Sequence, residues 1–144
     1  MEVAALEEML GTKIPLARAM GVRIVECAPA CVIITAPLAL NRNHLGTAFG
    51  GSLHALATLA GYGLVWTLIN DPAAHVVIRE SHVRYEHPVR GELRAVCLAP
   101  AEAKTAQFLR QFRRKGKARV SLRSTIEENG ITAVEFNGIF VARR

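Results

Sequence analysis

Aromatic and charged residues are both scarce in this 144-residue sequence, at 6% and 21%. Intrinsic disorder requires low hydrophobicity and high charge, so an apolar share of 51% excludes it. The three cysteines lack the spacing of metal ligands and are too few for a disulfide framework, which indicates a reducing compartment. We therefore expect one cytoplasmic domain over residues 1–144, with a single core and neither a metal nor a cofactor.

Acidic residues are outnumbered by basic ones, 12 against 18, giving a net charge of +6 with histidine neutral. Nucleic-acid-binding proteins are often basic, but they usually add exposed aromatics or a recognised motif. The densest basic stretch, residues 110–119, has no such motif, and the nearby Phe108 and Phe112 have the spacing of a helix that packs its apolar side inward. This stretch is either a solvated helix end or a site for a phosphate-bearing ligand, and we expect no nucleic-acid partner.

The sequence does not open with a basic segment followed by an apolar run, because Glu2, Glu7 and Glu8 occupy that region. We therefore expect no signal peptide. Residues 53–69 are nearly free of charge and almost long enough to span a bilayer. His54 interrupts this segment and two glycines weaken it as an isolated helix, so we interpret it as a core helix and expect no membrane partner.

Hydrophobic periodicity predicts an α+β fold. The predicted elements are a helical segment 2–20 with a break at Gly11, strands 21–27 and 31–40, a helix 52–69, strands 75–86 and 92–98, a short helix within 100–114, and strands 118–127 and 132–142. The last two strands form a hairpin across Asn129-Gly130. The long helix is apolar nearly all round, so we expect a curved antiparallel sheet to wrap around it.

The most informative segment begins at Asn43 and ends where Gly50 and Gly51 precede the long helix. Adjacent glycines let a ligand approach backbone N–H groups at the positive end of a helix. A thioester carbonyl could accept a hydrogen bond from the Gly51 N–H, which would hold the tetrahedral oxyanion more tightly still. The same glycines could instead only permit close packing of helix on sheet, and the pair alone does not decide between the two.

Several motifs together resemble the hotdog-fold thioesterases. The pattern Asn-x-x-Gly-x-x-x-Gly-Gly starts at Asn43, and Tyr85-x-x-Pro88 ends a later strand. The run Thr-Ala-Phe-Gly-Gly-Ser at residues 47–52 is similar to the hallmark of the thioesterase domain of the YiiD C-terminal type, as is Leu-Ala-Gly followed by Tyr62. The resemblance covers almost the whole chain.

This resemblance implies a hotdog fold, dimerised edge to edge with active sites at the subunit interface, in a homodimer or a tetramer of two dimers. It implies hydrolysis of an acyl-CoA or acyl-carrier-protein thioester to a free acid and a thiol. Asn43 falls on the family's loop Asn, which orients substrate or water, and Gly51 on the N–H donor to the carbonyl. Phe49 replaces the family's common His, so a polar contact from that position is absent. The substrate-binding residues that we infer are Phe49, Gly50, Ser52, His82, Arg84, Arg113 and Arg114.

One departure from the family pattern concerns the catalytic acid. Many relatives carry Asp or Glu seven residues after the second glycine, but Thr58 stands there, and the helix has no carboxylate. Gly51, His54 and Thr58 share one helix face by their spacing. His54 could be the base towards water with Thr58 positioning that water, since histidine as a residue type titrates near neutral pH. The alternative is that His54 is a hydrogen-bonded core histidine.

A second candidate acid–base set lies on the strand at residues 75–86, where Glu80, His82 and Arg84 alternate onto one face. The Glu–His pair could act as base and orienter, or form a structural ion pair at a dimer interface. Basic residues near the mouth of the site would attract coenzyme A phosphates or an acidic carrier protein. The candidates are Arg79, Arg84, Arg90, Arg113, Arg114 and Lys117.

Three functions therefore remain open, and we predict the first, a thioesterase. The second is an acyl-pantetheine binding module without turnover, motivated by Thr58 at the position of the usual carboxylate. The third is a dehydratase of 3-hydroxyacyl thioesters. That class pairs a His with an Asp or Glu across its dimer, and its usual His-containing loop signature is not evident here.

Overall fold

A six-stranded antiparallel sheet wraps around one long helix in the computed structural model, which describes residues 1–144. The elements are α1 Val3–Lys13, α2 Pro15–Ala19, β1 Arg23–Cys27, β2 Cys31–Ala36, α3 Leu38–Asn41, α4 Gly50–Ile69, β3 His75–Tyr85, β4 Leu93–Leu98, α5 Glu102–Lys115, β5 Lys117–Glu128 and β6 Ile131–Arg143. The strand order is β1-β2-β4-β5-β6-β3, so β1 and β3 are the edges. The predicted architecture is confirmed.

Helix α4 lies in the concave side of this sheet and has eleven buried residues out of its twenty. By length and composition it could cross a bilayer, but 61% of its most apolar window is buried inside the fold. Small residues bring it close to the strands: Gly61 lies directly under the Phe140 ring of β6, where a Cβ atom would overlap that ring. The prediction of a core helix is confirmed.

The inner face of the sheet meets α4 through alternate residues of each strand. On β5 and β6 these include Ser124, Phe136 and Phe140, each fully buried. The Ser124 hydroxyl donates a hydrogen bond to the Ala57 carbonyl oxygen of α4 at 3.0 Å, so this buried polar group is satisfied. The buried apolar residues form one cluster of 35 side chains.

Strand β3 contains a bulge in which Arg79 is the extra residue between Ile78 and Glu80. An extra residue interrupts the alternation of side chains, so the faces exchange beyond it. Ile78 is partly buried in the core before the bulge, and Ser81 contacts α4 after it. The bulge therefore decides which half of the distal β3 side chains meets the central helix.

Two predicted boundaries are wrong. The N-terminal helix runs through Gly11, and the break comes at Ile14 (φ −127°, ψ 89°), because the residue before Pro15 is disfavoured in the helical region. The strand predicted over residues 31–40 ends at Ala36, because Pro37 has no N–H for the ladder and the chain turns into α3.

The C-terminal predictions are confirmed. The short helix predicted within residues 100–114 is α5, which buries Phe108 and Phe112. Strands β5 and β6 form the predicted hairpin, with Asn129 and Gly130 at φ 54° and 75°. Two successive positive φ values are those of a type I′ turn, whose twist matches that of the flanking strands.

Candidate active site

The loop between α3 and α4 is ordered by the side chain of Asn43. Its Oδ1 accepts hydrogen bonds from the N–H groups of Leu45 at 2.9 Å and Thr47 at 3.1 Å, and its Nδ2 donates to the Thr47 hydroxyl at 2.8 Å. Asn and Asp side chains commonly hold tight turns in this way. Asn43 thus fixes the loop that delivers Phe49 to the start of α4.

The N-terminus of α4 presents three backbone donors without an acceptor in the chain. The Phe49 carbonyl accepts the first helical hydrogen bond, from the Leu53 N–H at 3.0 Å, while the N–H groups of Gly50, Gly51 and Ser52 are unpaired and no side chain caps the helix. Aligned peptide dipoles give this end of a helix a partial positive charge. The end of α4 can therefore bind an oxygen atom that carries or develops negative charge.

The Phe49 ring lies against Gly51. A Cβ atom added at Gly51 would overlap this ring, whereas one added at Gly50 would meet Tyr85 Cε1 at an ordinary 3.6 Å. The Phe49 side chain is itself 55% exposed. A side chain at the second glycine would therefore displace the exposed Phe49 ring, which lies against this end of the helix.

A cavity of about 690 Å³ runs along one face of α4. Gly51, His54 and Thr58 line it, as their spacing predicts, and Tyr62 and Trp66 continue the same face. The remaining wall residues come from α4, from the α1–α2 junction and from the start of β3: Lys13, Ile14, Leu16, Ala55, Leu59, His75, Val76 and Val77. No carboxylate is among them, and no cluster of His, Cys, Asp and Glu in the chain is suited to a metal ion.

His54 is the polar residue in the middle of this face. Its Nε2 lies 3.1 Å from the Ser81 hydroxyl oxygen, and its ring centroid is 5.8 Å from that of Phe136. No hydrogen bond within the chain uses Nδ1. Ser81 was missed in the sequence analysis because only the bulge at Arg79 shows that this serine faces α4.

Thr58 lies one helical turn beyond His54. Its hydroxyl donates a hydrogen bond to the His54 carbonyl oxygen at 2.8 Å. Because the only hydroxyl proton is used within the helix, the oxygen offers only its lone pairs to another group. Thr58 can therefore accept, but not donate, a hydrogen bond in the cavity.

The structure gathers some of the other predicted site residues and separates the rest. Asn43, Phe49, Gly50 and Ser52 lie at the N-terminal end of α4 without lining the cavity, and Arg113 and Arg114 are exposed at the end of α5. His82 and Arg84 lie on the outward face of β3 with Glu80, as their alternation predicts. Arg84 pairs with Glu86 at 2.9 Å, and no hydrogen bond or ion pair joins Glu80 to His82.

Part of the basic surplus lies on the outer face of the sheet. A hollow of about 1180 Å³ there is lined by five cationic side chains, none of them in an ion pair: Arg79, Lys115, Lys117, Arg119 and Arg143. No carboxylate lines this hollow. Two of the basic residues singled out in the sequence, Arg79 and Lys117, belong to it.

Comparisons with known proteins agree on one family. Residues 3–144 match the family model described as "Putative thioesterase (yiiD_Cterm)". A protein of unknown function from Chlorobaculum tepidum TLS is 35% identical with a TM-score of 0.91, covering 99% of this chain and 94% of that one.

Two further solved structures carry a functional description. A putative thioesterase from Shewanella oneidensis is 25% identical with a TM-score of 0.88, over 99% of this chain and 97% of that one. A probable thioesterase from Pseudomonas aeruginosa is 27% identical with a TM-score of 0.84, over 99% and 96%. With its antiparallel sheet around a central helix and a family match over nearly its whole length, this chain belongs to the YiiD C-terminal thioesterase family and is a hotdog-fold thioester hydrolase.

Proposed function

We propose that the chain hydrolyses acyl thioesters of coenzyme A or of an acyl carrier protein in the cavity along α4. One observation carries this proposal: a free backbone donor at Gly51 and the polar side chains of His54 and Thr58 share one face of a helix beside a mainly apolar groove. Thioester hydrolysis needs a stabiliser for the oxyanion, a base for water and apolar space for the acyl group.

The Gly51 N–H would bind the thioester carbonyl oxygen. When water attacks the carbonyl carbon, that oxygen gains a negative charge, which the N–H and the positive end of α4 stabilise more strongly than the neutral carbonyl. The Phe49 ring lies beside Gly51 and is an apolar neighbour of this donor.

His54 would accept the proton of the attacking water. The tautomer that serves this role has its proton on Nε2, donated to the Ser81 oxygen, which leaves the Nδ1 lone pair for the water. The Thr58 oxygen would accept a hydrogen bond from the other O–H of this water through its free lone pairs. The water oxygen then bonds to the carbonyl carbon, and the imidazolium returns its proton to the departing thiolate, so that a carboxylic acid and a thiol are released.

The remaining assignments concern substrate delivery and assembly. In this proposal Asn43 acts by holding the loop before α4. His82, Arg84, Arg113 and Arg114 help to bind the substrate from outside the cavity. The unpaired cations of the outer hollow support a phosphate-bearing or acidic carrier, because a surface of one sign attracts such ligands over long distances. The free edge of β3, eleven residues long, supports a homodimer or a tetramer, since an unpaired edge readily accepts another strand.

The test is a hydrolysis screen with acyl-CoA and acyl-carrier-protein thioesters. Wild type is expected to release free thiol, and His54→Ala to reduce kcat by about 100-fold or more, the usual contribution of a general base. His54→Phe keeps a ring against Phe136 and controls for packing. Binding of acyl-CoA without turnover would replace the proposal with a binding module, and hydration of crotonyl-CoA would replace it with a dehydratase.

A further inference from the structure

The wall of the cavity changes in character along α4. The N-terminal half carries the polar groups of Gly51, His54 and Thr58, with the small Ala55 between the last two and the aliphatic Leu59 after them. The face then ends in two aromatic rings, Tyr62 and Trp66, with their centroids 5.4 Å apart. An acyl chain that starts at Gly51 and follows the apolar wall therefore meets these two rings.

The aromatic end of the groove packs against buried rings of the core on the side away from the cavity. Tyr62 packs edge-on against Phe140 of β6 at 5.6 Å and 84°. Phe140 is fully buried and lies on Gly61 with no space even for a Cβ atom. Trp66 is only 5% exposed. Because protein cores are close-packed, Tyr62 cannot withdraw from the groove without displacing buried rings.

The distance from the reacting end to the Tyr62 ring can be compared with the length of an acyl chain. Gly51 and Tyr62 are eleven positions apart on one helix, which corresponds to about 16 Å at the helical rise of ~1.5 Å per residue. An extended alkyl chain advances about 1.25 Å per carbon, given C–C bonds of ~1.5 Å at tetrahedral angles. The groove between the two residues therefore holds a chain of about a dozen carbons.

We infer that the Tyr62–Trp66 pair is the end stop of the acyl groove and that the substrate is a medium-chain acyl thioester of about twelve carbons. This inference rests on the proposed function, since it places the thioester carbonyl at Gly51. Tyr62 is then a specificity-determining residue: its ring limits chain length and takes no part in the bond-breaking step.

The kinetic test compares acyl-CoAs of even chain length from four to eighteen carbons. Wild-type kcat/KM is expected to rise to the medium chains and to fall at least tenfold for the longest. Tyr62→Ala removes the ring and is expected to extend the range by several carbons, whereas Tyr62→Phe keeps the ring and the wild-type profile. Identical profiles for wild type and Tyr62→Ala would overturn the inference.

A second test does not depend on hydrolysis. Trp66 is the only tryptophan of the chain, so its fluorescence reports directly on the end of the groove. Saturated fatty acids are expected to change the emission once the chain approaches twelve carbons, and a six-carbon acid to leave it unchanged. Equal responses to both acids, or none to either, would overturn the end stop. A protein that hydrolyses no thioester but shows this length dependence would refute the proposed function alone.

Discussion

The imidazole Nε2 of His54 and the hydroxyl oxygen of Ser81 lie 3.1 Å apart, and this contact joins the cavity face of α4 to the inner side of the edge strand β3. The two residues are 27 positions apart in the chain, so the contact depends on the tertiary fold. In a neutral imidazole one ring nitrogen carries the proton and the other is an acceptor. Ser81 therefore holds the ring through Nε2 and leaves Nδ1 free to face another group.

Substitution of Ser81 by Ala is expected to lower kcat about fivefold with little change in KM, since the net value of one hydrogen bond is about 1 kcal/mol. Ser81→Thr keeps the hydroxyl and should restore most of the rate. Ser121→Ala, an exposed serine on β5, is the matched control. Steady-state kinetics decide the matter, and equal rates for the Ser81 and Ser121 variants would contradict it.

Replacing Gly51 with Ala places a methyl group where the Phe49 ring lies. We expect kcat/KM to fall by about 10- to 100-fold, because the displaced ring and the methyl obstruct the backbone donor. Thermal stability should not fall, since Ala is favoured over Gly in a helix by about 1 kcal/mol. Gly50→Ala, whose methyl has an ordinary contact with Tyr85, is the comparison for folding. Full activity of Gly51→Ala would argue against the donor role.

Thr58 is tested by removing its oxygen while keeping its shape. Thr58→Val is expected to lower kcat about three- to tenfold, because the water loses one hydrogen-bond acceptor of ordinary strength. Thr58→Ser keeps the hydroxyl and is expected to retain most of the rate. If Val and Ser behave alike in kinetics, the hydroxyl does not position the water.

Gly61→Ala tests the close approach of α4 to the sheet. The new methyl would overlap the buried Phe140 ring, so we expect the free energy of unfolding to fall by about 1–3 kcal/mol. Gly11→Ala is the control: its methyl meets only the flexible Arg18 side chain at 3.1 Å, and it should stabilise α1 by up to about 1 kcal/mol. Urea denaturation measures the free energy of unfolding of both variants. An unchanged value for Gly61→Ala would show that the core rearranges to accept the methyl group.

Burial raises the pKa of the Cys97 thiol to about 11. In the unfolded chain a thiol ionises near its ordinary pKa of 9.0, so the folded state holds this proton over a wider pH range. The stabilisation is present below about pH 9 and is lost as the pH rises towards about 11, which denaturation at several pH values would reveal. At neutral pH a thiol reagent should label Cys27 and Cys31 before the buried Cys97, and equally fast labelling would contradict this burial.

Features set by neighbouring residues could be predicted from the sequence. The periodicity of α4 placed Gly51, His54 and Thr58 on one face, and the Asn129-Gly130 pair located the last hairpin. Pro15 and Pro37 end the first helix and the second strand through their own backbone chemistry, and the misplaced boundaries lay close to them.

Features that depend on distant partners could not be predicted. Whether Ser81 faces α4 depends on how β3 pairs with β6 across the bulge. The proposed end stop at Tyr62 depends on support from Phe140, which contacts the Tyr62 ring from the other side of the core. Asn43 matched a functional position of the family, yet its side chain makes hydrogen bonds within its own loop. The motif alone does not predict these partners.

The bulge at Arg79 also affects how this family should be aligned. In a relative with a regular strand at this point, the residue that performs the task of Ser81 would come one position earlier relative to the start of β3. An ungapped alignment would then pair inward-facing residues of one protein with outward-facing residues of the other. Conserved positions in the distal half of β3 would be hidden by this shift, and a single-residue gap at Arg79 would recover them.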